Sequence, residues 1–437
     1  MTARQQSAGG PGLAGRVLRL GSSVLLFLVL AELAALGLLR HRTGQWPDLG
    51  ALEQELGELA GGATVDAGLG EVPTTTHEFL DREALHPYVG FLPPFTAEDA
   101  VEDGLAMNQD AFYAPDSPVF DPRGDAFVVG VVGGSVAGRF VRDGGGEALA
   151  ALLADRPEVG GRPVRFAVMA FGGHKQPQGL MALNHLLSLG GRLDLLLALD
   201  GFNEVALHEH ENRLHAVAPS YPRAWFYRVG MEELVKPVQA QLALLGRERR
   251  DQARELLDSP LRRSWIRRLV WRRADQDLAR RQREADGGLR ELVAEHDLLL
   301  RGPLSQATTS LERLDELVAV WRRSSLQLDA LCRANDIEYL HFLQPNQYVE
   351  GSKPLSEQEL DAALTPGHMY GVMVADGYPR LHEAGAELAQ SGVRFHDLTG
   401  VYGEVQDTVY VDDCCHVNEL GNRLLATAMA AEISRER

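Results

Sequence analysis

The chain has 437 residues, 45% hydrophobic and 24% charged, which gives material for a sizeable core and room for two or three average domains. Its formal net charge of −18 excludes a general nucleic-acid binder, which needs a basic footprint for phosphates. Three cysteines, Cys332, Cys414 and Cys415, are too few for a disulfide scaffold or a zinc cluster built on thiolates alone.

The first element is an apolar run, LGSSVLLFLVLAELAALGLL over 20–39, close to the ~20 residues that a bilayer-spanning helix needs. Its one charge, Glu32, is costly at membrane depth. Arg4, Arg16 and Arg19 precede the run and favour a cytoplasmic N-terminus with an exported body, although Arg40 and Arg42 weaken that bias. The run is longer than the apolar core of a signal peptide. An uncleaved anchor within residues 1–42 is therefore expected ahead of a cleaved signal or a buried soluble helix. Residues 43–123 read as a tether and then an irregular strap rich in Pro, Asp and aromatics.

From 124 to 437 strands and helical patterns alternate. AFVVGVV (126–132), PVRFAVMAF (163–171), RLDLLLALD (192–200), IEYLHFLQP (337–345) and VRFHDLT (393–399) are apolar runs of the kind buried parallel strands show. Five of them with helices between predict an α/β fold, a doubly wound parallel five-stranded sheet. Sites in such sheets form at the carboxyl ends of the strands. Residues 205–335 break the rhythm with helical sequence. Within them Arg247 to Arg283 holds thirteen arginines and six acids, a local net of +7. LRRSWIRRLVWRR (261–273) places Leu261, Trp265 and Leu269 on one face and the arginine pairs on the other. That predicts an amphipathic helix with a solvated basic face; the alternative is a helix lying on anionic lipid headgroups.

The chemistry gathers at the strand ends. Gly133, Gly134 and Ser135 follow the first strand, a sharp turn that presents a serine outward at a helix N-terminus. Gly173 follows the second strand and offers a bare backbone N–H. Asn203 follows the third, suited to cap a helix or to aim its amide into the cleft. Near the C-terminus DDCCHVNELGN (412–422) sets Asp413 three residues before His416, a spacing that lets a carboxylate hold an imidazole's tautomer. His208, His210 and His215 sit among acids, but without cysteines or an H-E-x-x-H pattern a charged helix or loop is the expected reading there.

Together VVGGSVAG, MAFGGHKQPQ, LDGFNEV and VDDCCHVNELGN resemble the four sequence blocks of the SGNH, or GDSL-like, hydrolase superfamily, over about 126–204 and 337–437. The resemblance implies a flavodoxin-like arrangement of the sheet and a serine esterase. Ser135 would be the nucleophile, His416 its base and Asp413 the residue orienting His416. The Ser135 and Gly173 N–H groups and the Asn203 amide would form the oxyanion hole. Gly134 and Glu204 depart from the residues many members carry. His174, Lys175, Gln344 and Asn346 are expected to border the substrate pocket. The implied activity is acyl or acetyl ester hydrolysis on an acylated glycan or lipid of a bacterial cell envelope. It needs no metal or cofactor and has the inner membrane as its address. The competing readings are an O-acyltransferase with a sugar acceptor and a non-catalytic scaffold binding a partner or membrane. Cys414 and Cys415 are expected as buried thiols supporting the histidine loop, with pairing of one to Cys332 as the alternative.

Overall fold

The computed structural model describes residues 13–61, 84–92, 101–102, 105–106, 125–230, 235–303, 305–365 and 367–435. The chain divides into two compact units, 1–70 with 231–296, and 71–230 with 297–437. The helical insertion is thus shared between them: its middle joins the N-terminal segment, and its flanks join the sheet.

The sheet unit is built on five parallel strands: β1 (Phe127–Gly133), β2 (Val164–Ala170), β3 (Leu195–Asp200), β4 (Glu338–Leu343) and β5 (Phe395–Asp397). Their order is β2-β1-β3-β4-β5, the flavodoxin-like order of a doubly wound sheet; four strands fall inside runs expected from the sequence, and β1 outruns its own by one residue, Gly133. The central position of β3 explains its composition: all six of its residues, LLLALD, are buried. Each fully buried leucine there contributes about 2 kcal/mol of apolar burial. Helices Gly145–Leu153 and Glu419–Ile433 pack on each other, and Ser310–Ala334, Met369–Gln390 and Phe202–Leu207 form a second group.

β3 ends on Asp200, whose buried carboxylate accepts from Trp321 Nε1 (2.6 Å), His341 Nε2 (2.8 Å) and Gln176 Nε2 (3.0 Å). Burial alone would raise this carboxyl, but His341 and the other donors hold it below the usual range. The network stiffens the turn that carries Asn203.

In the other unit, the helix Leu13–Thr43 contains the apolar stretch Leu20–His41, long and apolar enough to cross a membrane and largely exposed, unlike a soluble core helix. The stretch expected as a tether contains a helix, Leu49–Gly61. Helices Lys236–Asp258 and Trp265–Glu295 form an Arg-rich hairpin packed on it. Most of the expected strap lies outside the described residues. Its described part includes a small antiparallel hairpin, Ala84–His86 with Gly90–Leu92.

Candidate active site

Ser135 is the first residue of the helix Ser135–Arg142, immediately after β1, with Gly134 extended before it. Its N–H is thus one of the donors that a helix start leaves without an intrahelical partner. The Ser135 hydroxyl lies 2.7 Å from His416 Nε2, across 281 positions of sequence. On the other side of the ring, Nδ1–H donates to Asp412 Oδ2 at 2.5 Å. Serine, imidazole and carboxylate are in line.

The carboxylate is Asp412, not the expected Asp413. Asp412 Oδ1 accepts the backbone N–H groups of Cys414 (3.1 Å), Cys415 (3.2 Å) and His416 (3.2 Å), which curls the loop and turns Oδ2 toward the ring. Asp413 faces elsewhere and accepts from Thr365 Oγ1 at 3.1 Å. Burial would raise the Asp412 carboxyl, but the hydrogen bond and charge of His416 and the backbone donors outweigh it and hold it at about 2. It is ionised wherever the imidazole can act as a base.

Asn203 is the second residue of the helix Phe202–Leu207, and its Nδ2 donates to His174 O at 2.7 Å. An amide nitrogen carries two hydrogens, so one more donor remains to be aimed. The same nitrogen fills the space where a Cβ on Gly134 would stand, which accounts for glycine at that position. Gly134→Ala is expected to displace Asn203; if Asn203 serves as the oxyanion donor that the sequence blocks imply, kcat falls by ~10² or more, comparable with loss of one such donor. Steady-state ester kinetics measure this, and an unchanged kcat would separate Gly134 from Asn203. Glu204, the other departure, accepts from Gln176 N (2.8 Å) and Gly201 N (2.9 Å) and so ties the second block to the third. Burial and the nearby Asp200 charge push its carboxyl up to about 8. Gly173 has a φ of +77°, and the Arg223 side chain, paired to Glu211 (Nε–Oε2 3.0 Å), occupies the place of its missing Cβ.

The four residues expected at the pocket border are buried instead. His174 Nε2 bonds Phe91 O (2.9 Å) in the small hairpin, and Lys175 Nζ bonds Pro219 O. Burial lowers the Lys175 ammonium to about 8 against the pull of Glu204 and Glu211. Gln344 lies under the Cys415 loop, and Asn346 Nδ2 reaches Cys414 O (3.3 Å). Polar type and strand-end position singled out these residues, but His174, Lys175 and Asn346 each use a side-chain nitrogen on a backbone carbonyl of the protein. The acid-rich segment behaves similarly. Glu209 pairs with Arg213 and Arg313, Glu211 with Arg223, and His215 Nε2 lies 2.5 Å from Tyr227 OH.

Several supports were not anticipated. Gln347 Nε2 donates to Asp412 O (3.0 Å), and Tyr348 OH donates to Asp413 O (2.8 Å), so the loop after β4 grips the loop carrying His416. Glu359 Oε1 accepts Val409 N (2.8 Å) and Tyr410 N (3.0 Å), just upstream, while Oε2 takes Lys353 Nζ (2.8 Å). The only available signal was the strand-end position of 344–348; nothing in the sequence places Glu359. Burial would raise the Glu359 carboxyl, but Lys353 and three backbone donors depress it to about 2, from an ordinary 4.5. Folded, it binds fewer protons than unfolded. Its stabilisation is therefore complete above about pH 4.5 and is lost as pH falls toward about 2. Glu359→Gln is expected to flatten the acid side of the stability profile, read as urea midpoints between about pH 7 and about pH 3. An acid limb identical to the parent's would remove this role.

The three cysteines are free thiols. Cys414 Sγ, Cys415 Sγ and a His416 ring nitrogen lie within 4.8 Å of one another, but both His416 nitrogens are engaged, by Ser135 and Asp412. A metal there would have to displace the relay.

No family model matches the chain, and no curated protein matches it. Among solved structures, it is similar to a GDSL-like lipase from Bacteroides thetaiotaomicron at 10% identity. That match covers 71% of this chain and 89% of the lipase, with a TM-score of 0.29. At that distance the chemical reading rests on the geometry of the chain's own residues.

Proposed function

We propose that the protein is a serine hydrolase that cleaves carboxylic esters, and the observation that carries this is the in-line Ser135–His416–Asp412 arrangement. Ser135 Oγ attacks the ester carbonyl carbon while its proton passes to His416 Nε2. Asp412 keeps Nδ1 protonated beforehand and stabilises the imidazolium that forms. The carbonyl oxygen gains the negative charge and is met by the N–H groups of Ser135 and Gly173 and by Asn203 Nδ2. As the intermediate collapses, the C–O bond to the alcohol breaks and His416 Nε2 returns the proton to the leaving oxygen. Water, deprotonated by the same nitrogen, then attacks the acyl-serine and regenerates the enzyme.

The partly buried, pre-aimed arrangement fits acyl transfer better than a scaffold role, because a scaffold has no use for a serine hydroxyl within hydrogen-bond reach of an oriented imidazole. With the Leu20–His41 helix as a single-pass anchor, the natural esters are the acyl groups of envelope glycans or lipids on the membrane face where the body lies. Activity-based labelling with a fluorophosphonate tests the chemistry. One adduct at Ser135 is expected, and a native protein that takes up none would return the scaffold reading. Rates on p-nitrophenyl acetate against longer-chain esters then define the acyl group. Asn203→Ala is expected to reduce kcat by ~10²–10³, the usual loss for one oxyanion donor. A change in KM alone would reassign Asn203 to substrate binding.

A further inference from the structure

The apolar helix and the Arg-rich hairpin belong to one compact unit, and their contacts carry a consequence for the membrane. Glu32, the charge in the middle of the apolar stretch, accepts from Ser264 Oγ (2.5 Å), Trp265 N (2.6 Å) and Ile266 N (3.4 Å). It thereby satisfies the first N–H groups of the helix Trp265–Glu295, donors that a helix start otherwise leaves to water. Arg268, 3% exposed, turns back to donate to Arg262 O (2.7 Å) and lies 3.5 Å from Glu53. Further along, Ala35 and Leu39 are buried, and Leu39 lines a small cavity with Arg268, Trp271 and Arg272.

Length then decides where this contact lies. Among the residues whose burial is described, the anchor helix is exposed along its whole circumference from Leu20 to Leu30, which at 1.5 Å per residue is about 17 Å, and Arg16 and Arg19 bound the apolar run on its N-terminal side. A hydrocarbon core is about 30 Å thick, or about 20 residues of helix. The remaining roughly 13 Å must extend past Glu32 to the level of Leu39, where the hairpin is already packed. The hairpin also shows the wrong face for water. The expected faces hold for Arg262, Arg263 and Arg267 but fail at three positions near its start: Arg268 is hidden, while Leu261 (58% exposed) and Val270 (63% exposed) point outward. Arg262, Arg263 and Arg267 are exposed around them; among the described residues Arg263 and Arg267 make loose pairs, 3.8 Å to Glu53 and 3.7 Å to Glu255.

We infer that the turn Ser259–Ser264 and the first turns of Trp265–Glu295 are seated in the bilayer leaflet at the C-terminal end of the anchor helix. Leu261 and Val270 enter the acyl boundary, and the three exposed arginines hold lipid phosphates. Arginine suits this position because its long stem lies in apolar surroundings while the guanidinium reaches the headgroup plane. Glu32 makes the seat possible: in hydrocarbon every backbone donor needs a partner within the protein, and the anchor's own acid supplies it. The net positive charge of the hairpin commits the partner to an anionic phospholipid surface.

This inference rests on the anchor crossing the bilayer, and one experiment reads both. The full chain is reconstituted in phosphatidylcholine vesicles with and without phosphatidylglycerol. A nitroxide is attached in separate variants at Phe27→Cys, Leu261→Cys, Val270→Cys and Arg283→Cys, and the labelled unsubstituted chain supplies the background. The expected result is oxygen access without nickel-chelate access at 27, 261 and 270, and the reverse at 283. In anionic vesicles the label at 261 should lose that protection when Arg262, Arg263 and Arg267 are all changed to glutamine. Nickel-chelate access at 261 and 270 with 27 still protected would overturn the seat and leave the anchor standing. Access at 27 would overturn both. Exclusion of both reagents at 261 would show a protein contact there in place of lipid, which also overturns it.

Discussion

Replacing Ser135 with alanine is expected to lower ester turnover by about a millionfold, to the residue that binding and an oxyanion hole sustain without a nucleophile. The size follows from the chemistry. In the proposed mechanism the hydroxyl 2.7 Å from His416 Nε2 is the atom that forms the acyl bond, and no neighbouring group can replace it in that geometry. The substitution removes one partly buried oxygen, so thermal unfolding should shift little while fluorophosphonate labelling disappears. That combination separates loss of chemistry from loss of fold. Turnover of p-nitrophenyl acetate by the alanine variant at the parental rate would end the hydrolase assignment.

The second large effect distinguishes two adjacent residues. Asp412→Asn should lower kcat by about 10⁴ with KM little changed, and Asp413→Asn should leave both near the parental values. An asparagine at 412 can still accept the three backbone N–H groups through its oxygen, so the loop should keep its curl. Its amide then faces His416 Nδ1 as a donor, which puts the ring proton on Nε2, where it can no longer accept from the serine. Among the described residues the Asp413 side chain meets the Thr365 hydroxyl, and its contact with Tyr348 uses the backbone carbonyl. Parallel kinetics of the two variants, with circular dichroism to confirm folding, measure the difference. The reverse ranking would place the orienting carboxylate at 413.

The sheet was legible in the sequence because buried parallel strands leave continuous apolar runs, and all five were found in such runs. The serine and Asn203 were legible from strand-end position and residue type, and the histidine from the C-terminal block DDCCHVNELGN. The acid was missed by one position, for a physical reason. Asp412 and Asp413 are equivalent by composition, and only the hydrogen bonds from Cys414, Cys415 and His416 to Asp412 select between them. His174, Lys175, Gln344 and Asn346 failed differently: a polar side chain beside a cleft and one buried beneath it look the same in sequence. The hairpin's facing failed at Leu261, Arg268 and Val270, because helical periodicity assumes water outside and these three invert that rule.

Within the site, acid and base are four positions apart and held by their own loop, whereas base and nucleophile are separated by 281. The first pair can form as soon as a short segment curls. The second forms only when the last part of the chain has docked on the first strand of the sheet. Serine reactivity is therefore a readout of folding for the whole sheet unit, and a nascent or truncated chain lacking its final segment would carry an unarmed nucleophile.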